Sequence, residues 1–224
     1  MNFFKKLILL LVLSPFVFIS CSSDDDNGNG SSNPNPEDSY WPMNLNNFWT
    51  FNTNEGEQTL TINSRVTHEG NTYYSFLDNN PYLSQDALIV REDNGVFIMY
   101  YTPSSQQGVN VSGGAINYID VTKNVDYLWN DQLVLNISGL TTGSMLFNHT
   151  GKIISKGTTE VVSGVSYTNV IKHQMEQSIT NSLTGYTIEI KYIIWLAKGV
   201  GPIKQQIIGD NFSNTYDLID YEIY

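Results

Sequence analysis

The chain has 224 residues, 11 Lys+Arg against 22 Asp+Glu, a formal net charge of −11 and a single cysteine. One cysteine rules out an intrachain disulfide framework and a thiolate metal cluster. The acidic balance speaks against nucleic acid or anionic lipid as the main partner, because both demand clustered Lys and Arg. After residue 20 no apolar run approaches the ~20 residues a bilayer span requires, and the size suits one domain with its own core.

Met1 to Lys6 is short and basic, with Lys5 and Lys6. Leu7 to Ile19 is apolar apart from Ser14 and Pro15, and the small Ser20 precedes Cys21. Such a run is short for a membrane span and has the form of a secretory signal peptide. The segment Phe18-Ile19-Ser20-Cys21 resembles the lipobox of bacterial lipoproteins, with Phe18 where Leu is usual. That resemblance implies removal of residues 1–20 and acylation, palmitate included, of a new N-terminal Cys21. Each buried acyl CH₂ contributes about 0.8 kcal/mol, so several chains on one cysteine hold a protein stably at a membrane.

Ser22-Ser23-Asp24-Asp25-Asp26 follows directly. It resembles the Ser-plus-acidic export signal behind the lipid cysteine of Bacteroidota lipoproteins, which implies the outer face of the outer membrane. Without that signal, the acids are a solvated spacer and the protein stays on the periplasmic face. Asp24-Asp25-Asp26-Asn27-Gly28 lacks the alternating ligands and terminal Glu of a calcium loop. Residues 27–39 contain no large apolar side chain and cannot offset ordering entropy by burial. Residues 21–39 therefore read as a disordered tether, reaching on the order of 20 Å and holding the domain clear of the headgroups. Removing residues 1–20 takes two Lys and no acid, which leaves −13; residues 40–224 alone carry −8, so the domain itself is acidic.

From Tyr40 the dominant period is two. Gln58–Ile62 and Asn71–Phe76 are rich in β-branched and aromatic residues and are bounded by Glu55-Gly56 and Glu69-Gly70. Ala87–Glu92 and Gly95–Tyr101 flank Asn94-Gly95, a strong two-residue hairpin signal. Asn124–Trp129 could form a turn or two of helix, and Lys172–Ser178 is ambiguous, since neither sustains a helical stripe. Ile116–Val121, Leu133–Ile137, Gly151–Ser155 and Val161-Val162 continue the strand pattern. Thr187–Ala197 is the longest candidate: Ile188, Ile190, Tyr192, Ile194 and Leu196 share one face, and Ile193 and Trp195 predict burial of both faces towards its end. Ile203–Ile208 and Leu218–Tyr224 complete an all-β chain, expected as an antiparallel sheet curled into an open or closed barrel, or else a sandwich.

Val66 to Tyr73 echoes Val161 to Tyr167: each runs into a Gly turn with Tyr three residues after the Gly. Such an echo arises from duplication or from two hairpins of similar chemistry. Tyr40-Trp41-Pro42-Met43 through Asn47-Phe48-Trp49-Thr50-Phe51 resembles the "YxPL…GNxWxY" opening of Bacteroidota lipoproteins that carry no assigned activity. Trp195 to Lys204, WLAKGVGPIK, resembles their closing "YAxGVGxVK" strand pair. Asn46 stands where Gly is usual, and Pro202 where an aliphatic residue is usual. The resemblance implies a β-rich lipoprotein domain with a bulge or tight bend at Gly199 and Gly201, and no catalytic residues.

Chemistry is sparse. His68, His149 and His173 are far apart in sequence, without metal-ligand spacing. No G-x-S-x-G elbow or dinucleotide fingerprint occurs, and an acylated Cys21 is lost to Cys–His catalysis. No metal or cofactor is expected. Asp120, Asp126, Asp131, Glu160, Glu176 and Glu189 could supply a glycosidase pair. Tyr73, Tyr74, Tyr100, Tyr101, Trp129 and Trp195 could build a ligand face, with one ring of each Tyr pair left exposed. The sequence thus points to a lipid-anchored, non-catalytic binding or scaffolding domain for a glycan, an apolar molecule or a protein. An extracellular hydrolase, a carrier of an apolar ligand in a barrel cavity and a structural subunit of a surface complex are the alternatives.

Overall fold

The computed structural model describes residues 37–78 and 88–224; residues 1–20, Cys21, the Ser22–Asp26 tag and the tether up to residue 36 lie outside the described residues. The fourteen strands are β1 (Phe48–Thr53), β2 (Gly56–His68), β3 (Asn71–Asp78), β4 (Leu88–Asp93), β5 (Val96–Tyr101), β6 (Ser104–Gln106) and β7 (Val109–Val111). They continue with β8 (Gly114–Asp120), β9 (Trp129–Gly139), β10 (Gly143–Val162), β11 (Val165–Asn181), β12 (Tyr186–Ala197), β13 (Gly201–Gly209) and β14 (Phe212–Glu222). No helix occurs among the described residues. All fourteen lie in one antiparallel sheet ordered β6-β7-β9-β10-β11-β12-β13-β14-β1-β2-β3-β4-β5-β8. The fold is all-β as expected, and a single curled sheet replaces the sandwich alternative; it does not close into a barrel.

Two-residue turns set much of the register. Glu69-Gly70, Asn94-Gly95, Gln107-Gly108 and Ser163-Gly164 all have positive φ at both positions. This is the type I′ geometry that matches strand twist, and Gly at the second position carries it without strain. Both halves of the Val66/Val161 echo are therefore the same hairpin turn.

The β10–β11 hairpin is longer than its sequence suggests. Register shifts at Ile153/Ser155, Lys156/Thr158 and Thr158/Glu160 break the alternation, so one strand reads as two short ones. Lys172–Ser178 is the middle of β11, and Asn124–Trp129 is an irregular loop leading into β9. In β12 the face carrying Ile194 and Leu196 is buried, and Trp195 and Ala197 are buried with it, as the sequence predicts.

The main core joins Trp41, Trp49, Phe76, Phe97, Ile194 and Leu196 with the inner residues of most strands. The Trp41 ring centroid lies 5.4 Å from Phe76 and 5.8 Å from Phe97. The two end motifs meet: Trp49 Nε1 donates to the Val200 carbonyl at 2.7 Å, and the Trp49 ring covers Gly201 where a Cβ would clash. A register shift at Trp195/Leu196 accompanies φ of +76° at Gly199 and +104° at Gly201, the bend the motif implies. Asn46 takes φ 71°, a conformation open to Asn as well as Gly, and buried Asn47 accepts from the Tyr224 N–H at 2.9 Å. Ordered chain begins before Tyr40. Ser39 is buried, its Oγ donates to Glu92 at 2.8 Å, and its carbonyl accepts from Gly199 at 2.8 Å.

The sheet's last strand, β8, returns beside β9 without a backbone ladder. Side chains bridge the seam instead. Asp131 Oδ2 accepts from the Asn117 N–H at 2.8 Å, and His149 Nδ1 donates to the Asn117 carbonyl at 3.3 Å. Gly114 leaves room for Leu133 along the same gap. Deeper in, His173 is fully buried, stacked against Trp129 at 6.1 Å, with neither ring nitrogen hydrogen-bonded to protein. Burial pushes its pKa down to about 4, against the smaller opposing pull of Asp120.

Two predictions follow from this packing. Asp131→Ala should destabilise the domain by about 1 kcal/mol in urea titration and hasten hydrogen exchange of the Asn117 amide, because a part-buried donor loses its partner. An unchanged Asn117 exchange rate would show that Asp131 does not seal the seam. For His173, the unfolded chain binds a proton near pH 6.5 that the native state refuses until about pH 4. Its contribution is complete above pH 6.5 and is lost as pH falls towards 4, on the order of 3 kcal/mol. His173→Phe should flatten this part of the stability profile; a profile parallel to wild type would refute the assignment.

Candidate functional site: a cleft beside the seam

A shallow open cleft of about 470 Å³ lies over β9 and β10, lined by Asn130, Asp131, Gln132, Asn148, His149 and Thr150. Cross-strand register places its side chains. Asn130 faces Thr150, and Gln132 faces Asn148, which in turn faces Ser178 on β11. The pairs are hydrogen-bonded: Thr150 Oγ1 donates to Asn130 Oδ1 at 2.8 Å, and Gln132 Nε2 donates to Asn148 Oδ1 at 2.7 Å. Asn148 Nδ2 donates to Ser178 Oγ at 3.3 Å. The rows end in carboxylates, since Glu176 stands opposite Thr150 and Glu189 opposite Ser178. The result is a fixed surface of neutral donors and acceptors with an acidic margin.

Asp131 and His149 face the other way, into the seam, and connect the cleft to a buried polar chain. Gln177 Nε2 donates to His149 Nε2 at 2.5 Å and reaches the Tyr101 hydroxyl at 3.2 Å, while the Tyr192 hydroxyl donates to Gln177 Oε1 at 3.4 Å. These contacts require neutral His149 with its proton on Nδ1. Burial lowers the His149 pKa, against the Asn117 carbonyl and Asp131, which favour the cation. Burial raises the Tyr101 pKa and pushes Tyr192 up to about 12, so both hydroxyls keep their protons. The cleft can exchange hydrogen bonds with a ligand; its outward side chains are the amides of Asn130, Gln132 and Asn148 and the hydroxyl of Thr150.

The six carboxylates singled out by sequence are scattered across this flank. Asp120 is held by the Thr122 N–H at 3.0 Å and Lys123 at 3.3 Å, and Asp131 by Asn117. Asp126 sits on the exposed loop, Glu160 on the far part of the β10–β11 hairpin, and Glu176 and Glu189 on the outer face. Among the described residues no group of three His, Cys, Asp or Glu could hold a metal ion.

The aromatic expectation needs correction in one respect. The Tyr pairs do alternate between faces, but neither leaves an exposed ring. Tyr74 joins the main core, while Tyr73 and Tyr100 form an outer cluster with Ile89 and are buried there. His68 stacks on Tyr100 at 4.3 Å and Arg91 lies 5.7 Å over Tyr73, so the outer face has covering of its own. Tyr101 packs inside at 4.7 Å from Phe147. Trp129 lies over Gly151, and Trp195 lies under Lys172 and Lys204, at 4.5 and 5.8 Å. The sequence reading missed Asn130, Gln132, Asn148 and Thr150. Their signal was two i, i+2 pairs of neutral hydrogen-bonding residues on neighbouring strands.

No family model matches the sequence, and no curated protein matches it. Among solved structures, the chain is similar to a "putative lipoprotein" from Parabacteroides distasonis ATCC 8503, with 12% identity and a TM-score of 0.52 over 83% of this chain and 99% of that one. A "putative exported protein with YmcC-like fold" from Bacteroides fragilis NCTC 9343 aligns with 14% identity and a TM-score of 0.48, over 83% and 99% of the two chains. At 12% identity the first likeness is one of fold, and it extends over nearly all of the Parabacteroides chain.

Proposed function

We propose that this is a lipid-anchored protein of the cell envelope, held at the outer membrane through Cys21 and displayed outward. Its β domain binds a ligand and does not transform it, and the cleft beside the seam takes a neutral, hydroxyl-rich molecule such as a short stretch of glycan. One observation carries the ligand class: the cleft presents amide and hydroxyl groups already hydrogen-bonded in cross-strand pairs. Such groups are oriented before the ligand arrives, which lowers the ordering cost of binding. Glu176 and Glu189 along the margin disfavour anionic ligands. The packed interior, filled by Trp41, Trp49, Phe76 and Phe97, counts against carriage of an apolar molecule within the sheet.

The anchor rests on the lipobox-like Phe18-Ile19-Ser20-Cys21 and is supported by the name of the similar Parabacteroides structure. Cys21→Ala should move the protein from the membrane fraction to the soluble one and abolish incorporation of labelled palmitate; full membrane retention without label would sink the anchor. Protease applied to intact cells should remove the domain, whereas complete protection would refute outward display. On a panel of neutral oligosaccharides read by calorimetry, Gln132→Ala with Asn148→Ala should weaken binding at least tenfold without moving the thermal midpoint. Equal affinity of variant and wild type would remove the cleft from the proposal.

A further inference from the structure

The outer face of β10 to β13 departs from the charge of the rest of the domain. Residues 40–224 carry −8, yet four of their seven lysines stand on this one face. The register puts them there. His173 and Met175 of β11 and Ile194 and Leu196 of β12 are buried inside, so the residues between them point outward. One cross-strand row then reads Ser155, Lys172, Trp195, Lys204 and Asp217, and the next Lys152, Gln174, Ile193 and Gln206. Lys191 stands one row further on, opposite Glu176. With about 4.8 Å between strands and about 7 Å between rows, these side chains share a patch roughly 14 Å across.

The two acids of the patch are already partnered. Asp217 accepts from Lys204 at 2.7 Å, and Glu176 accepts from Gln174 at 3.0 Å. Lys152 and Lys172 are in no ion pair among the described residues. What holds Lys172 is a ring: its Nζ lies 4.5 Å over Trp195, and Lys204 Nζ lies over the same indole at 5.8 Å. An ammonium against an indole face is positioned without being neutralised. Trp195 is buried beneath the two lysine stems, and only one of the two charges above it is offset by a carboxylate.

We propose that this face binds an acidic glycan, with Lys152 and Lys172 taking its carboxylate or sulfate groups and Ser155, Gln174 and Gln206 its hydroxyls. Strands β10 to β13 are each paired on both sides, so they offer no free edge to the backbone of a peptide. What the face presents is ammonium, amide and hydroxyl groups around an indole, which meets a polyhydroxylated chain carrying single acidic groups. Nucleic acid calls for more cations than these four, on a domain of the opposite overall sign. The face begins one row beyond Thr150 of the cleft, and Glu176 stands between the two. It is a separate site of opposite electrostatic character, and it does not depend on the reading of the cleft.

The test is calorimetry on residues 21–224 carrying Cys21→Ser, with tetrasaccharides of polygalacturonate, alginate and chondroitin sulfate as probes. At least one should bind, and which one does so tells carboxylate from sulfate recognition. Its affinity should drop as salt rises from about 0.05 to about 0.5 M. It should fall at least tenfold in Lys152→Gln/Lys172→Gln, with the thermal midpoint unchanged. Methyl-esterified galacturonate keeps its hydroxyls and loses its charge, and should bind the wild type no better than the acid binds the variant. Gln132→Ala/Asn148→Ala in the cleft should leave binding of the acidic probe unaltered. Absence of binding by all three probes, or equal binding by wild type and lysine variant, would overturn the proposal. So would equal or tighter binding of an oligoglutamate peptide of the same charge, which would assign the face to an acidic protein. Loss of acidic-probe binding in the cleft variant would overturn it too, by moving the acid into the cleft.

Discussion

A long antiparallel sheet curls under its own twist until its last strand, β8, approaches β9, and an unsealed meeting would leave two edges open to other chains. Here the seal is made by two side chains on one residue's backbone. Asp131 takes the Asn117 N–H and His149 serves the Asn117 carbonyl, so each occupies the place a neighbouring strand would have taken. The substitution has structural consequences in both directions. Outward, it leaves β9 and β10 with a polar flank whose amides pair among themselves. Inward, it carries a hydrogen-bonding chain through His149 and Gln177 to Tyr101 and Tyr192, in an interior otherwise filled by apolar rings. Full closure by backbone alone would have required neither feature.

The sequence speaks clearly where one rule dominates locally. Asn94-Gly95 specifies its turn because few residue pairs tolerate two consecutive positive φ values, and the same holds for Glu69-Gly70 and Ser163-Gly164. The alternation in β12 and the change near Trp195 are equally direct. The β10–β11 hairpin is harder to read because three bulges shift its period, and because inward positions include Gly151, His149 and Gln177 alongside aliphatic residues. Burial of the outward ring of each Tyr pair, Tyr73 and Tyr100, was not legible either. It depends on a second apolar cluster on the outer face of the sheet, assembled from the neighbouring strands β3, β4 and β5.

The site was the least legible part, for a physical reason. Catalytic and metal centres need rare residue types at restrictive spacings, which a sequence displays. A surface that only exchanges hydrogen bonds uses Asn, Gln, Ser and Thr, which are common on any strand. Asn130 and Asn148 acquire significance only when the register sets them on neighbouring strands above the seam. The two end motifs behave differently. Their glycines and tryptophan proved to be one joint, with Trp49 over Gly201 and bonded to Val200, so their information is architectural.

The pairing of β1 with β14 has a temporal meaning as well as a spatial one. These strands lie side by side in the middle of the sheet, although nearly the whole described chain separates them. Strands β1 to β5 with β8 make one half and β9 to β14 most of the other, and the halves are joined by that ladder and by the Asn117 seam. The β1–β14 ladder cannot form until residues 216–222 are available, because Leu218 to Glu222 supply the partner for Phe48 to Phe51, whereas the Asn117 seam needs only residues of the middle of the chain. Contacts this distant in sequence slow folding, since loop closure must come before any gain from pairing. The halves can therefore each form their own hairpins early, while the ladder that joins them through the middle of the sheet is completed late.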